Sequence, residues 1–177
     1  MQLSRRFLLA TALFVLGAAA RAQSPADARV KARLALTLAR FTQWPAAAFA
    51  APNDPVVMCL MHRDATLAEA FAELTGQTVA GRPVRVVGAA EKAVAGCHVL
   101  FVHGSVDRAA AGAIAAAAAS TPLLTISDSE GFAARGGMVE LVNDNDSIRL
   151  DVNLKALRAS QLGLSSQVLK LARQVRE

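Results

Sequence analysis

Tyrosine is absent from this chain, and one tryptophan and seven phenylalanines supply all of its aromatic rings. A surface that stacks nucleobases needs aromatic faces interleaved with basic residues, so this scarcity argues against nucleic-acid binding. Charge argues the same way. The net charge is +5, but residues 1–22 hold Arg5, Arg6 and Arg21 and no acid; without them 16 basic residues face 14 acidic ones. That near balance gives no basic footprint for a polyanion.

Long apolar runs are missing too. A membrane helix needs about 20 apolar residues, whereas the run at residues 7–20 is shorter. It follows Arg5 and Arg6 and ends in Ala20-Arg21-Ala22, a small-x-small cleavage site. This is the build of a secretory signal peptide cleaved after Ala22. The expected organisation is a signal peptide over residues 1–22 and one exported α/β domain over residues 23–177.

Cysteine is nearly absent, with only Cys59 and Cys97. In an exported chain the simplest expectation is that they pair, the alternative being two buried free thiols. His62 and His98 lie close to them in sequence, but no C-x-x-C or H-x-x-x-H spacing accompanies them, so no metal site is expected. No glycine-rich phosphate loop follows the first core strand, where His62, Arg63, Asp64 and Ala65 stand instead. Dinucleotide binding is disfavoured and no cofactor is expected.

What is present is an alternation of strands and helices. Val30, Leu34, Leu38 and Phe41 recur at helical spacing and predict an N-terminal helix packed through that face, with Arg29, Lys31, Arg33 and Arg40 on solvated faces. Pro45 ends this helix near Trp44. The unbroken apolar run at residues 55–61 reads as a strand covered on both faces. A helix at residues 65–74, a strand at 84–87, a strand at 98–102, an alanine-rich helix at 109–119 and a strand at 123–126 follow. This order predicts a Rossmann-like α/β domain with a mostly parallel sheet. Residues 138–142 and 148–152 alternate across the turn-rich Asn143 to Ser147, which predicts a C-terminal β-hairpin. Asn153 should cap a helix running to Gln161, with Gly163 as its C-terminal stop. A last helix should start at Ser165 or Ser166, with Val168, Leu169, Ala172 and Val175 inward and Lys170 and Arg173 outward.

In such a sheet, ligands sit beyond the carboxyl ends of the strands. Those ends would present His62, Arg63, His103, Ser105, Ser127, Asp128 and Glu130, with Phe132 as an apolar anchor nearby: a candidate crevice for a small polar ligand or a partner. Ser127, Asp128 and His103 are residue types of a hydrolytic triad, but no G-x-S-x-G elbow surrounds any serine and nothing sets a nucleophile beside a base. The chain is therefore expected not to be an enzyme, and no catalytic residue is assigned.

Five motifs occur in order over the exported part: FTQWP at residues 41–45, CHVLFV at 97–102, LTISDSEGFAARGGMVEL at 124–141, IRLDVNL at 148–154 and LGLSSQVLKLAR at 162–173. Together they resemble the YfiR family of exported proteins. The resemblance implies a periplasmic, usually dimeric regulator. It would bind the periplasmic sensor domain of a membrane-bound diguanylate cyclase, hold it inactive, and so lower cyclic di-GMP and biofilm formation. It also implies that Cys59 and Cys97 sit where the family has a disulfide; a second bridge found in some relatives has no cysteines here. The rival expectation is a periplasmic protein that binds a nucleotide-like or aromatic metabolite in the crevice.

Overall fold

The computed structural model describes residues 24–89, 94–145 and 147–177; the expected signal peptide lies outside them. Ser24 caps α1 (Pro25–Arg40) through its hydroxyl, which accepts from the Asp27 N–H, and Pro25 occupies the first turn, where its missing N–H costs nothing. In chain order there follow β1 (Thr42–Gln43), β2 (Val56–Met61), α2 (Ala65–Ala72), β3 (Thr78–Val79), β4 (Arg82–Gly88), β5 (Val99–Val102), α3 (Arg108–Ala118) and β6 (Leu124–Ser127). The chain continues with β7 (Val139–Asp144), β8 (Ser147–Asn153), α4 (Leu154–Ala159), β9 (Gly163–Leu164), α5 (Ser166–Leu171) and β10 (Ala172–Arg176).

Eight strands form one sheet in the order β10-β8-β7-β6-β5-β2-β4-β3. The pairs from β4 through β2, β5 and β6 to β7 are all parallel, and β8 returns antiparallel to β7 as the expected hairpin. In chain order the five parallel strands stand 2-1-3-4-5, the flavodoxin-like doubly wound arrangement, with its switch point between β2 and β5.

Alternate residues of each central strand serve opposite faces, because side chains alternate across a pleat. Val56, Met58, Leu60, Val99 and Phe101 pack with α1 and α2 on one face. Val57, Cys59, Met61, Leu100 and Val102 pack with α3 and Phe132 on the other. Phe71 of α2 meets Phe101 at 4.9 Å between ring centroids, near the middle of the first layer. Cys59 and Cys97 form a disulfide with Cα atoms 5.8 Å apart, tying β2 to the segment just ahead of β5.

Below the amino end of the sheet, His98 is held on both ring nitrogens. Nδ1 accepts from the Val57 N–H at 3.0 Å, which leaves the proton on Nε2, 3.0 Å from the Ala48 carbonyl oxygen. Phe49 stacks on the imidazole at 4.5 Å, and the Arg82 guanidinium lies 3.9 Å over the Phe49 ring while donating to the Ala51 and Asp54 carbonyls. Trp44 packs edge-on against Phe49 and donates its indole N–H to Ala39. The tryptophan thus plugs the end of α1.

Three sequence expectations fail. Of the expected α1 face, Leu38 is buried and Leu34 packs against the core, but Val30 and Phe41 are 45% and 40% exposed; the rest of the buried face is the alanine ladder Ala28, Ala32, Ala35 and Ala39 with Leu36, and it includes Lys31. Small side chains let the helix lie close to the sheet and α2, and that close approach outweighs the larger but more scattered apolar groups. The final helix stops at Leu171, and residues Ala172–Arg176 form β10, parallel to β8. Here a sheet edge that needs backbone partners, and a buried Asp151 that takes both an Nε–H and an Nη2–H bond from Arg173 at 2.9 and 2.7 Å, override the helical period. Finally, α4 ends at Ala159, short of Gln161, which takes the left-handed region (φ +57°), and Gly163 pairs with Gln43 in the small β1-β9 ribbon instead of stopping the helix. The Asn153 cap does form, its side-chain oxygen accepting from the Ala156 N–H at 3.0 Å.

Candidate functional site

The carboxyl ends of β2, β5 and β6 carry His62 to Asp64, His103 to Ser105, and Asp128. Each is placed by a strand whose four or more residues are buried, so the loops begin from fixed points. The His103 N–H donates to the Met61 carbonyl at 2.9 Å, extending the β2-β5 ladder one step beyond the strands.

Asp128 is the centre. Its Oδ2 receives the Lys31 ammonium at 2.5 Å and lies 3.5 Å from His103 Nε2, and its Oδ1 accepts the Gly104 N–H at 2.6 Å. Both partners of the ion pair are nearly dry, the Lys31 side chain 9% and the Asp128 side chain 6% exposed. A buried carboxylate is tolerated only when paired and hydrogen-bonded, and Asp128 is both. The Ser105 and Arg63 loops join the cluster: His103 Nδ1 lies 2.8 Å from Ser105 Oγ, and that hydroxyl accepts the Arg63 N–H at 3.2 Å.

The Ser105 N–H also points at His103 Nδ1, at 3.4 Å, so the ring proton belongs on Nε2, facing Asp128. Burial pushes the His103 pKa below the ordinary histidine value of 6.5; Asp128 opposes that shift and the Lys31 ammonium adds to it. The imidazole is therefore neutral at pH 7.

A serine, a histidine and an aspartate thus stand in a line, yet their contacts do the work of a clasp. Asp128 gives its shortest contacts to Lys31 and the Gly104 N–H, and an imidazolium at His103 would form beside the Lys31 charge. The helix ends nearest the crevice are likewise taken: Asp64 accepts the Thr66 and Leu67 N–H groups of α2, and Asp107 those of Ala109 and Ala110 in α3. An anionic ligand would have to displace these carboxylates.

Of the eight residues singled out in the sequence, His103, Ser105 and Asp128 come into direct contact, with Arg63 contributing its backbone. His62 turns Nδ1 back to the Asp64 N–H at 3.1 Å. Ser127 faces away from the crevice: its buried hydroxyl donates to the Val102 carbonyl at 2.6 Å and accepts the Ser129 N–H, stapling β6 to β5. Glu130 is solvent-exposed opposite Arg108, 3.7 Å away. Phe132 is fully buried in the α3 layer.

The loop from Asp128 to Gly137 has its own internal support. Glu140, buried on β7, accepts the Gly131 and Ala133 N–H groups at 2.8 and 3.1 Å. Asn153 donates to the Ala133 carbonyl at 3.0 Å. Gly136 takes φ +102°, and Gly137 lies against the Phe132 ring so closely that any Cβ would overlap it. Sequence reading missed Lys31 and Glu140. The alanine ladder around Lys31 was the available signal for the first; Glu140 inside the apolar run of β7 was the signal for the second.

Fold and site together define a doubly wound α/β domain whose crevice-end side chains Lys31, His103 and Asp128 hold one another. The chain belongs to the YfiR/HmsC-like family, whose model matches residues 28–173. That family is one of periplasmic regulators of cyclic di-GMP signalling. A crystal structure of a conserved domain protein from Vibrio cholerae has the same fold, with a TM-score of 0.51 and 15% identity over 68% of this chain and 55% of that one. The match thus spans about half the length of that protein, and the likeness concerns the fold alone.

Proposed function

We propose that this protein, exported after removal of residues 1–22, represses a membrane-bound diguanylate cyclase by binding its periplasmic sensor domain, and so lowers cyclic di-GMP and biofilm formation. The family match over residues 28–173 carries the reading. The closed crevice supports it, because an α/β domain that fills its usual ligand position with Lys31, His103 and Asp128 has its outer faces left for recognition. The rival reading, a metabolite bound in that crevice, would require the Lys31 to Asp128 ion pair to open and finds less support. The test is co-purification of residues 23–177 with the periplasmic domains of the diguanylate cyclases encoded in the same genome. A stable complex with one of them, and repression of that cyclase in cells, is the expected result; no complex with any of them would sink the reading.

A further inference from the structure

The helix that buries its alanines turns a different face outward. Arg29, Arg33 and Arg40 are spaced four and seven residues apart, which sets them in one stripe on α1. The stripe borders a groove of about 450 Å³ between α1 and α2, floored by the buried Leu36 and Leu74.

The three cations are unequally occupied. Arg40 donates to the Thr78 carbonyl at 2.9 Å and to the Gln77 side chain at 3.2 Å. Arg29 meets Glu73 at 3.4 Å in an exposed pair that contributes little. The Arg33 side chain makes no hydrogen bond or ion pair among the described residues. Three guanidiniums therefore face one carboxylate around an apolar floor. The backbone beneath them is fixed, because Lys31 on the opposite side of the same helix is locked to Asp128.

We propose that this groove is a docking surface for an acidic segment of a protein partner, one that sets carboxylates against Arg33 and Arg29 and an apolar side chain on Leu36 and Leu74. A guanidinium fork binds a carboxylate in two-pronged fashion, which gives the charge match its direction. The concave, apolar floor selects a polypeptide over an anionic membrane surface, which would meet the arginines but leave the groove unfilled. Resting on the repressor reading, the partner is the periplasmic domain of the cyclase.

Two arms test this. In the first, a fluorescent amphipathic peptide with glutamates on one stripe and leucines beside it is titrated with residues 23–177, alongside vesicles containing phosphatidylglycerol. The peptide should bind, weaken steeply with salt, and lose about tenfold or more in affinity with Arg33→Glu. Arg108→Glu, an exposed charge on α3, should bind like the parent. Equal binding by Arg33→Glu, or capture by the vesicles in place of the peptide, overturns the docking surface; urea midpoints matching the parent show that each variant is folded. In the second arm the same variants are tested against the cyclase domain. If the parent binds it and Arg33→Glu does so equally well, the groove is not the cyclase surface although repression stands. If the parent binds no cyclase, the repressor reading falls and the peptide arm still decides the groove.

Discussion

Lys31 and Asp128, 97 residues apart in the chain, meet at 2.5 Å with both side chains almost wholly withdrawn from water. The pair joins the N-terminal helix to the carboxyl end of β6, and His103 and the Gly104 N–H complete the shell around the carboxylate.

Removing one partner leaves the other charged and buried. Lys31→Met should therefore cost about 3–5 kcal/mol. Lys31→Met combined with Asp128→Asn should cost less than the two single changes added together, because no buried charge is stranded. Urea unfolding of the three variants measures this; additive losses would show that the pair is not energetically coupled.

The same geometry sharpens the contrast between Phe132 and Asp128. Phe132→Ala empties a fully buried site and should cost about 3–5 kcal/mol, and Gly137→Ala should destabilise by forcing the Phe132 ring aside. Asp128→Ala also loosens the fold, since it strands Lys31. Asp128 is thus a brace, and a binding defect in that variant is interpretable only beside its unfolding curve.

Two histidines predict the pH dependence. Burial lowers the pKa of both His98 and His103 from 6.5. The unfolded chain then binds more protons than the folded one below that value, so their stabilising contribution is complete above pH 6.5 and is lost as pH falls through the depressed folded values. The urea midpoint should be flat just above neutrality and fall on acidification, and His98→Asn should flatten the fall. A midpoint that rises on acidification would contradict the sign.

Reduction of the Cys59 to Cys97 bridge should destabilise the domain by about 4 kcal/mol. Alkylation before and after reductant, read by mass, should show both thiols reactive only after reduction and unfolding. Free thiols in protein isolated from the periplasm would defeat this.

Arg173→Ala should free the C-terminal strand without unfolding the core, because Arg173 clamps β10 to Asp151 of β8. Hydrogen exchange should rise selectively over residues Ala172–Arg176 while β2 and β5 stay protected.

The sequence by itself determined the parallel core. Residues 55–61 and 98–102 are continuous apolar runs that fit strands buried on both faces, and the turn-rich Asn143 to Ser147 fits the closing of a hairpin. It pointed to the family through five ordered motifs and to a cysteine pair, with two free thiols as the alternative that the bridge between Cys59 and Cys97 removes. Three things were decided by tertiary structure. Lys31 reads as a solvated lysine until a carboxylate from 97 residues away arrives beneath its helix. The last residues read as a helix until an open edge on β8 and a buried Asp151 claim them as a strand. Ser127 and Phe132 read as crevice residues until their partners, the Val102 carbonyl and Gly137, turn them inward. Periodicity reports a segment's own preference; which charges, edges and cavities it meets is a property of the folded whole.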